Sequence, residues 1–139
     1  MTVIVLNYNG NQFIRACLDS LCSQSHKDLE ILVVDNGSTD GSFEFVSENY
    51  PQVVAIRNEK NLGFAEGNNI GIRDALSRGA DYVLLLNNDT MSEPDAIEKM
   101  IEAFRLDGKI ILNRQDIELV LTAVPIGAEA DKTDGEVTT

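Results

Sequence analysis

Runs of apolar residues that end abruptly in polar residues recur along this chain. They predict strands that are covered on both faces, because continuous aliphatic runs are typical of buried parallel strands. Stretches with apolar residues at helical spacing separate these runs, as in Ile14, Cys17, Leu18 and Leu21. The predicted strands cover 3–7, 30–35, 53–57 and 81–86, and the predicted helices cover 11–23, 41–49, 64–78 and a segment from Ser92 to Phe104.

Turn and cap residues set the predicted helix boundaries. Asp40 is expected to cap the second helix, and Gly79 is expected to end the third. Ser92 and Asp95 form a potential capping box for the fourth helix. The alternation of strands and helices predicts a Rossmann-like α/β fold, with a mostly parallel sheet in the order 3-2-1-4 and helices on both faces.

The length of 139 residues fits one domain, which we place at 1–124. After Phe104 the pattern weakens, although Lys109–Leu112 and Ile117–Val124 are apolar enough for strands. The acidic, polar segment 125–139 is expected to be a disordered tail.

Composition narrows the class of function. With 23 acidic and 11 basic residues the net charge is −12, which disfavours nucleic-acid binding. An anionic ligand would need a metal ion or backbone dipoles to offset that charge. We expect no transmembrane segment, because no apolar run approaches about 20 residues. With no signal peptide visible, the expected location is cytoplasmic, and a peripheral position at the inner face of the membrane stays open.

The cysteines and the histidine carry little functional signal. Cys17 and Cys22 are too few for a disulfide framework, and both are expected to be buried or half-buried thiols in the first helix. His26 has no second histidine or cysteine spaced for a zinc site.

Polar residues follow three of the predicted strands. These residues are Asn7, Tyr8 and Asn9 after the first strand, Asp35 at the end of the second, and Asn87, Asn88 and Asp89 after the fourth. Ligands of open parallel sheets bind at the carboxyl ends of the strands, near the point where the strand order reverses. The sequence therefore predicts one site built from three loops.

The two acids of this edge suggest different roles. Asp35 can accept hydrogen bonds from a ribose hydroxyl or a base N–H. Asp89 is the metal-ligand candidate, because Mg²⁺ and Mn²⁺ prefer carboxylate oxygens and take further ligands from phosphates and water. The neighbouring amides could orient Asp89 or accept a sugar hydroxyl, and a simple turn-capping role for Asp89 is the alternative.

A glycine-rich segment, 61–69, opens the third helix. Gly63 and Gly67 allow close backbone approach, and a helix N-terminus favours an anion. Asn68 is a poor helix former, which argues mildly for binding. Phe64 is expected to lie in the core, with contact to a ligand as the alternative.

As a set, segments 3–10, 33–42, 61–69 and 84–90 resemble family 2 glycosyltransferases with the GT-A fold, in most detail the bacterial rhamnosyltransferase-like branch. The match covers about 2–104. The resemblance implies inverting transfer of a sugar from a nucleotide-diphosphate donor to a hydroxyl of a saccharide or lipid-linked acceptor, as in cell-wall polysaccharide biosynthesis.

The resemblance also implies roles by position. Asp35 would contact the base or ribose, and Asp89 would bind Mg²⁺ or Mn²⁺ as the last acid of the family's Asp-x-Asp motif. The expected nucleotide-binding residues are Asn7, Tyr8, Asn9, Asp35, Asn61, Gly63, Asn68, Asn87 and Asn88.

Two departures from the family pattern leave alternatives open. Asn87 replaces the first carboxylate of the motif, and no acid after Phe104 lies in a recognisable general-base motif, so the catalytic base is not assigned. The chain is expected to be the nucleotide-binding half of such an enzyme, truncated or naturally short. A catalytically incomplete binding or regulatory module is the alternative, and an exposed strand edge would favour a homo-oligomer.

Two other α/β classes fit less well. A receiver domain needs an acidic pair after its first strand, where this chain has Asn7-Tyr8-Asn9. A dehydrogenase needs a Gly-x-Gly-x-x-Gly turn at the same place, and only Gly10 is present.

Overall fold

The computed structural model describes residues 1–107 and 124–125 of the chain. Strands and helices alternate along the chain, as the sequence predicts. The strands are β1 (Thr2–Asn7), β2 (Glu30–Asp35), β3 (Val54–Arg57), β4 (Tyr82–Asn87) and β5 (Val124–Pro125). The helices are α1 (Ile14–Cys22), α2 (Ser42–Asn49), α3 (Phe64–Ser77) and α4 (Ala96–Asp107).

The strands form one sheet in the order β3-β2-β1-β4-β5. The first four are parallel, and β5 runs antiparallel to β4. This confirms the predicted order of the four parallel strands. The order reverses beside the central strand β1, whose Val5 is paired with Val33 on one side and Leu86 on the other.

Apolar side chains cover both faces of the sheet. Val3 and Val5 of β1 point to the face covered by α1, where Ile14 and Leu18 are fully buried. Side chains alternate along a strand, so Ile4 lies on the opposite face with the residues of α3. The fold is therefore the predicted α/β arrangement, with helices on both faces.

Helix α3 approaches the sheet closely because it carries two buried glycines. A Cβ on Gly71 would lie 2.7 Å from Ile4 Cγ2 and 3.0 Å from Val34 Cγ2. A Cβ on Gly67 would lie 2.6 Å from Leu6 Cδ1. These contacts leave no space for a methyl group between the helix and the sheet.

Gly71→Ala is therefore expected to lower the free energy of unfolding by about 1–2 kcal/mol, because overpacking outweighs the gain in helix propensity. Chemical denaturation would measure this change. Asn69→Ala is the matched control, since Asn69 is exposed on the same helix and its replacement should stabilise by about 0.5 kcal/mol. A stabilised Gly71→Ala variant would contradict the close packing.

Two predicted caps differ in detail from the structure. Asp40 accepts a hydrogen bond from Ser42 N at 3.0 Å, but Gly41 occupies the N-cap position of α2 with φ +84°. Helix α4 begins at Ala96, four residues after Ser92, and Gln24 Oε1 accepts the N–H of Ile97 at 3.1 Å. A side chain from a distant segment thus supplies a cap that a local sequence pattern cannot show.

The C-terminal predictions fall largely outside the described residues. This applies to the strand at Lys109–Leu112, to most of the strand at Ile117–Val124, and to the tail at 126–139. Val124 and Pro125 are described and form β5. Within residues 1–107 and 124–125, no helix is long and apolar enough to cross a membrane.

Candidate functional site

The loops that follow β1, β2 and β4 meet at the carboxyl edge of the sheet. The strand register brings them together, because Asn7 is paired with Asp35 and Leu6 is paired with Asn87. The N-terminus of α3 lies at the same edge, beside the loop that follows β2. The structure therefore gathers all ten sequence-predicted site residues into one region.

Asn7 lies at the centre of this region and is fully buried. Its Nδ2 donates to Asp35 Oδ1 at 3.1 Å and to Ser42 Oγ at 2.8 Å. Its Oδ1 accepts a hydrogen bond from Asn88 Nδ2 at 2.9 Å. One side chain thus joins the loops that follow β2 and β4.

Asp35 is also fully buried, and its carboxylate is held by groups of the protein. In addition to the Asn7 amide, the backbone N–H of Ser38 donates to Asp35 Oδ2 at 2.9 Å. The carboxylate therefore closes the turn after β2. Asp35 thus lies beneath the surface of the site and holds the loop after β2 in place.

The loop after β1 is fastened to the loop after β2 by reciprocal hydrogen bonds. Asn9 N donates to Ser38 Oγ at 2.9 Å, and Asn9 Oδ1 accepts from Thr39 N at 2.8 Å. Asn9 has φ +48°, a conformation that asparagine tolerates better than most residues. This side chain, exposed in part, holds both loops at the rim of the site.

Asp40 adds a further contact between the same two loops. Its Oδ2 accepts the backbone N–H of Asn11 at 2.9 Å. Desolvation by itself would raise the pKa of Asp40, but hydrogen bonds from Ser42 and Asn11 outweigh it and lower the pKa. The carboxylate is therefore stabilised in the charged form that these contacts require.

Asn36 is a buried connector that the sequence analysis did not identify. Its Nδ2 donates to Asn61 Oδ1 and to Gly63 O, both at 3.1 Å. Its Oδ1 accepts from Asn58 Nδ2 at 3.0 Å. The only signal in the sequence is its position directly after Asp35, within a run of turn-forming residues that explains its residue type equally well.

The start of α3 forms another wall of the site. Gly63 is exposed and has φ +86°, which favours glycine, and Asn61 Oδ1 accepts its N–H at 2.8 Å. Asn68 is 5% exposed, and its side-chain amide donates to Phe64 O at 3.0 Å. This side chain is therefore buried and bonded to the backbone of its own helix. Phe64 itself is 51% exposed, and the expectation that it lies in the core is wrong.

Exposed aromatic and apolar side chains surround this edge. Tyr8 follows β1 and is 50% exposed, and Met91 follows β4 and is 75% exposed. Together with Phe64, they give the polar site an apolar rim. Such a rim can contact the flat face of a base or the apolar face of a sugar.

Asp89 is exposed in the loop after β4, between half-buried Asn88 and buried Thr90. The exposed amide of Asn87 precedes them. Thr90 Oγ1 is buried and has no hydrogen-bond partner in the described part of the chain. This loop therefore presents the Asp89 carboxylate at the surface, with the exposed Asn87 two residues before it.

These residues can hold a divalent cation only with help from a ligand. Among the described residues, no group of three His, Cys, Asp or Glu side chains is placed to hold a metal ion. Mg²⁺-type ions are commonly held by one or two carboxylates, with phosphates and water as the other ligands. The hard oxygen donor of Asp89 fits an ion that is bound in that way.

Cys17 lies beneath the Asp89 loop and is fully buried. Burial, reinforced by the nearby Asp89 carboxylate, raises the pKa of the Cys17 thiol to about 12. The thiolate is the reactive form of cysteine, so this thiol is expected to be inert near neutral pH.

We therefore expect an alkylating reagent at pH 8 to label one thiol in the native protein and two in denaturant. Cys22 is exposed, so the expectation that both thiols are at least half-buried is wrong for this residue, and Cys22 supplies the native reaction. Mass spectrometry of the labelled protein would count the adducts, and a Cys22→Ser control should reduce native labelling to near zero. Equal native labelling of both thiols would contradict the buried position of Cys17.

The fold and the edge define an α/β domain of the GT-A type, with a polar site at the carboxyl ends of its parallel strands. The model of glycosyl transferase family 2 matches residues 2–125. The chain belongs to glycosyltransferase family 2.

Relatives of this chain include large polysaccharide synthases. The Escherichia coli chondroitin synthase is 33% identical over 109 residues, which cover 77% of this chain and 16% of that protein. The chain thus spans a small part of this curated relative's length.

Two solved structures illustrate the similarity in fold. S. aureus TarS in complex with UDP has a TM-score of 0.67 at 21% identity, covering 81% of this chain and 38% of that chain. The mannosyltransferase PcManGT from Pyrobaculum calidifontis, in complex with GDP-Man and Mn²⁺, has a TM-score of 0.58 at 30% identity. That match covers 65% of this chain and 27% of PcManGT.

Proposed function

We propose that this chain binds the nucleotide-diphosphate sugar donor of a glycosyltransferase, at the edge formed by the loops after β1, β2 and β4. The observation that carries this proposal is the Asn7 amide, which ties all three loops into one site with Asp89 at its surface. Family membership and the ligands of structural neighbours, UDP in one and GDP-Man with Mn²⁺ in another, agree with it.

The exposed groups are the proposed direct contacts of the donor. We assign the nucleoside to Tyr8 and Asn9 on the β1 side and to Asn61 and Gly63 at the start of α3, because all four residues are exposed. The buried groups Asn7, Asp35 and Asn68 set the shape of these surfaces, because their polar atoms are engaged within the protein. The half-buried Asn88 is likewise turned towards Asn7.

The proposed diphosphate position is beside Asp89 and Asn87. A bound Mg²⁺ or Mn²⁺ would neutralise the diphosphate and stabilise it as a leaving group. In a chain with a net charge of −12, such an ion also offsets the general repulsion of an anionic donor. Asp89 would hold the ion, and the Asn87 amide would donate to a phosphate or sugar oxygen.

The proposed reaction transfers the sugar, with inversion, to a hydroxyl of a saccharide or lipid-linked acceptor. Inversion by single displacement requires a base to take the proton of the attacking hydroxyl. We assign no residue to that role. A cytoplasmic site of action is part of the same proposal.

Calorimetry with UDP and GDP, each with and without Mn²⁺, tests donor binding. We expect one of the two nucleotides to bind, and to bind more tightly with Mn²⁺. A transfer and hydrolysis assay with UDP-GlcNAc and GDP-mannose then tests chemistry. Binding without turnover would identify a donor-binding module, and the absence of binding by both nucleotides would refute the proposal.

A further inference from the structure

Gly10 is buried in the turn after β1, and its missing side chain leaves space for a contact between two loops. A Cβ on Gly10 would overlap both Asn7 Oδ1 and Asn88 Nδ2. Those two atoms form a hydrogen bond of 2.9 Å through that space. Gly10 is not one of the glycines with positive φ, so the need for space, not backbone conformation, accounts for glycine here.

This hydrogen bond completes a continuous connection from the Asp89 loop to the loop after β2. Asn88 donates to Asn7 Oδ1, and Asn7 Nδ2 donates to Asp35 Oδ1 and Ser42 Oγ. Both Asn7 atoms belong to one planar amide, so any rotation of that amide disturbs the contacts on both sides. Asn7 is fully buried, so water cannot replace a broken contact without a local opening.

The inward direction of the Asn88 amide distinguishes this residue from its neighbours. Asn87 and Asp89 are exposed, whereas Asn88 is half-buried and uses its amide N–H on Asn7. The middle residue of the Asn87–Asp89 turn is therefore anchored to the sheet. Its neighbours on both sides are free to face a ligand.

We propose that Asn88 is a positioning residue that couples metal binding at Asp89 to nucleoside binding between Tyr8 and the start of α3. The coupling runs through Asn7, across the space left by Gly10, to the loop after β2, which holds Asn9 and Gly63 in place. The inference rests on the proposed function. Because each ligand stabilises one end of the same connection, each strengthens the binding of the other beyond their direct contact. The coupling is therefore measured as the gain in nucleotide affinity that Mn²⁺ produces.

The test measures that gain, defined as the nucleotide Kd without Mn²⁺ divided by the Kd with Mn²⁺. It uses whichever of UDP and GDP binds the unmodified chain more tightly. Gly10→Ala removes the hydrogen bond by occupying its space, and Asn88→Ala removes it by deleting the donor. Each variant is expected to lower the gain about fivefold, the typical effect of one lost hydrogen bond.

The double variant, Gly10→Ala with Asn88→Ala, distinguishes the loss of coupling from a general loss of nucleotide binding. Both changes remove the same interaction, so the double variant is expected to lose about as much of the gain as one single variant. Asn11→Ala is the control, since Asn11 is exposed in the same loop and its backbone N–H, not its side chain, contacts Asp40. Its gain should equal that of the unmodified chain.

The outcomes distinguish this inference from the proposed function. An unchanged gain in the folded variants, equal weakening with and without Mn²⁺, or losses that multiply in the double variant would overturn the coupling alone. If Gly10→Ala does not fold, the Asn88→Ala result decides. Failure of the unmodified chain to bind either nucleotide would overturn the proposed function, and the coupling with it.

Discussion

Replacement of Asp89 by alanine is expected to abolish the effect of Mn²⁺ on nucleotide affinity and to leave the fold intact. Asp89 is exposed, so its removal costs little packing. It is also the carboxylate that the proposal assigns to the ion, and loss of a metal ligand should lower metal-dependent affinity at least about tenfold. Calorimetry with and without Mn²⁺ measures the change.

Asp81→Ala is the matched control for this prediction. Asp81 is also exposed and lies just before β4, at the opposite end of the strand that leads to Asp89. Both variants remove one negative charge from the same strand–loop unit. A similar loss in the two variants would mean that overall charge, and not the position of Asp89, controls the response to Mn²⁺.

Replacement of Asn7 by leucine is expected to have the largest effect on stability. Leucine keeps a side chain of similar reach but removes the amide that contacts Asp35, Ser42 and Asn88. The carboxylate of Asp35 would then be buried with one fewer donor, which is costly for a charged group. We expect the free energy of unfolding to fall by about 3 kcal/mol.

Chemical denaturation measures this loss, with Asn69→Leu as the control. Asn69 is exposed on α3, where leucine is a better helix former than asparagine, so that variant should be at least as stable as the unmodified chain. An Asn7→Leu variant with unchanged stability would contradict the central position of Asn7 in the buried network.

The arrangement of the sheet was predictable because the strands are continuous aliphatic runs with little ambiguity of type. Parallel strands joined by helices also leave few possible orders. The meeting of Asn7, Asp35 and Asp89 at one edge follows from that topology, since each of them ends or follows a parallel strand. The sequence alone therefore predicts which residues lie at the carboxyl edge of the sheet.

The direction of each side chain at that edge was not predictable. Asn7 and Asp35 were expected to face the nucleotide, and in the structure both are fully buried and bonded to the protein. Burial depends on how three loops close over the edge, and those contacts join residues far apart in sequence. For the same reason the sequence analysis missed Asn36 and the cap that Gln24 provides for α4.

Phe64 illustrates the opposite error, since it was expected to be buried and is exposed. An aromatic residue at the start of a helix resembles a core residue, yet 51% of its surface is exposed. The close approach of Gly67 and Gly71 to the sheet fixes how α3 lies on it. Phe64 then falls at the open edge, where it belongs to the apolar rim.

The most direct test of donor binding at the carboxyl edge of the sheet is a crystal structure of this chain with Mn²⁺ and the nucleoside diphosphate that binds it. The anomalous signal of manganese locates the ion independently of the surrounding density. We expect the ion beside Asp89, in contact with the diphosphate, and the base between Tyr8 and the start of α3. A nucleotide bound away from the carboxyl ends of β1, β2 and β4, or an ion distant from Asp89, would contradict the proposed donor site.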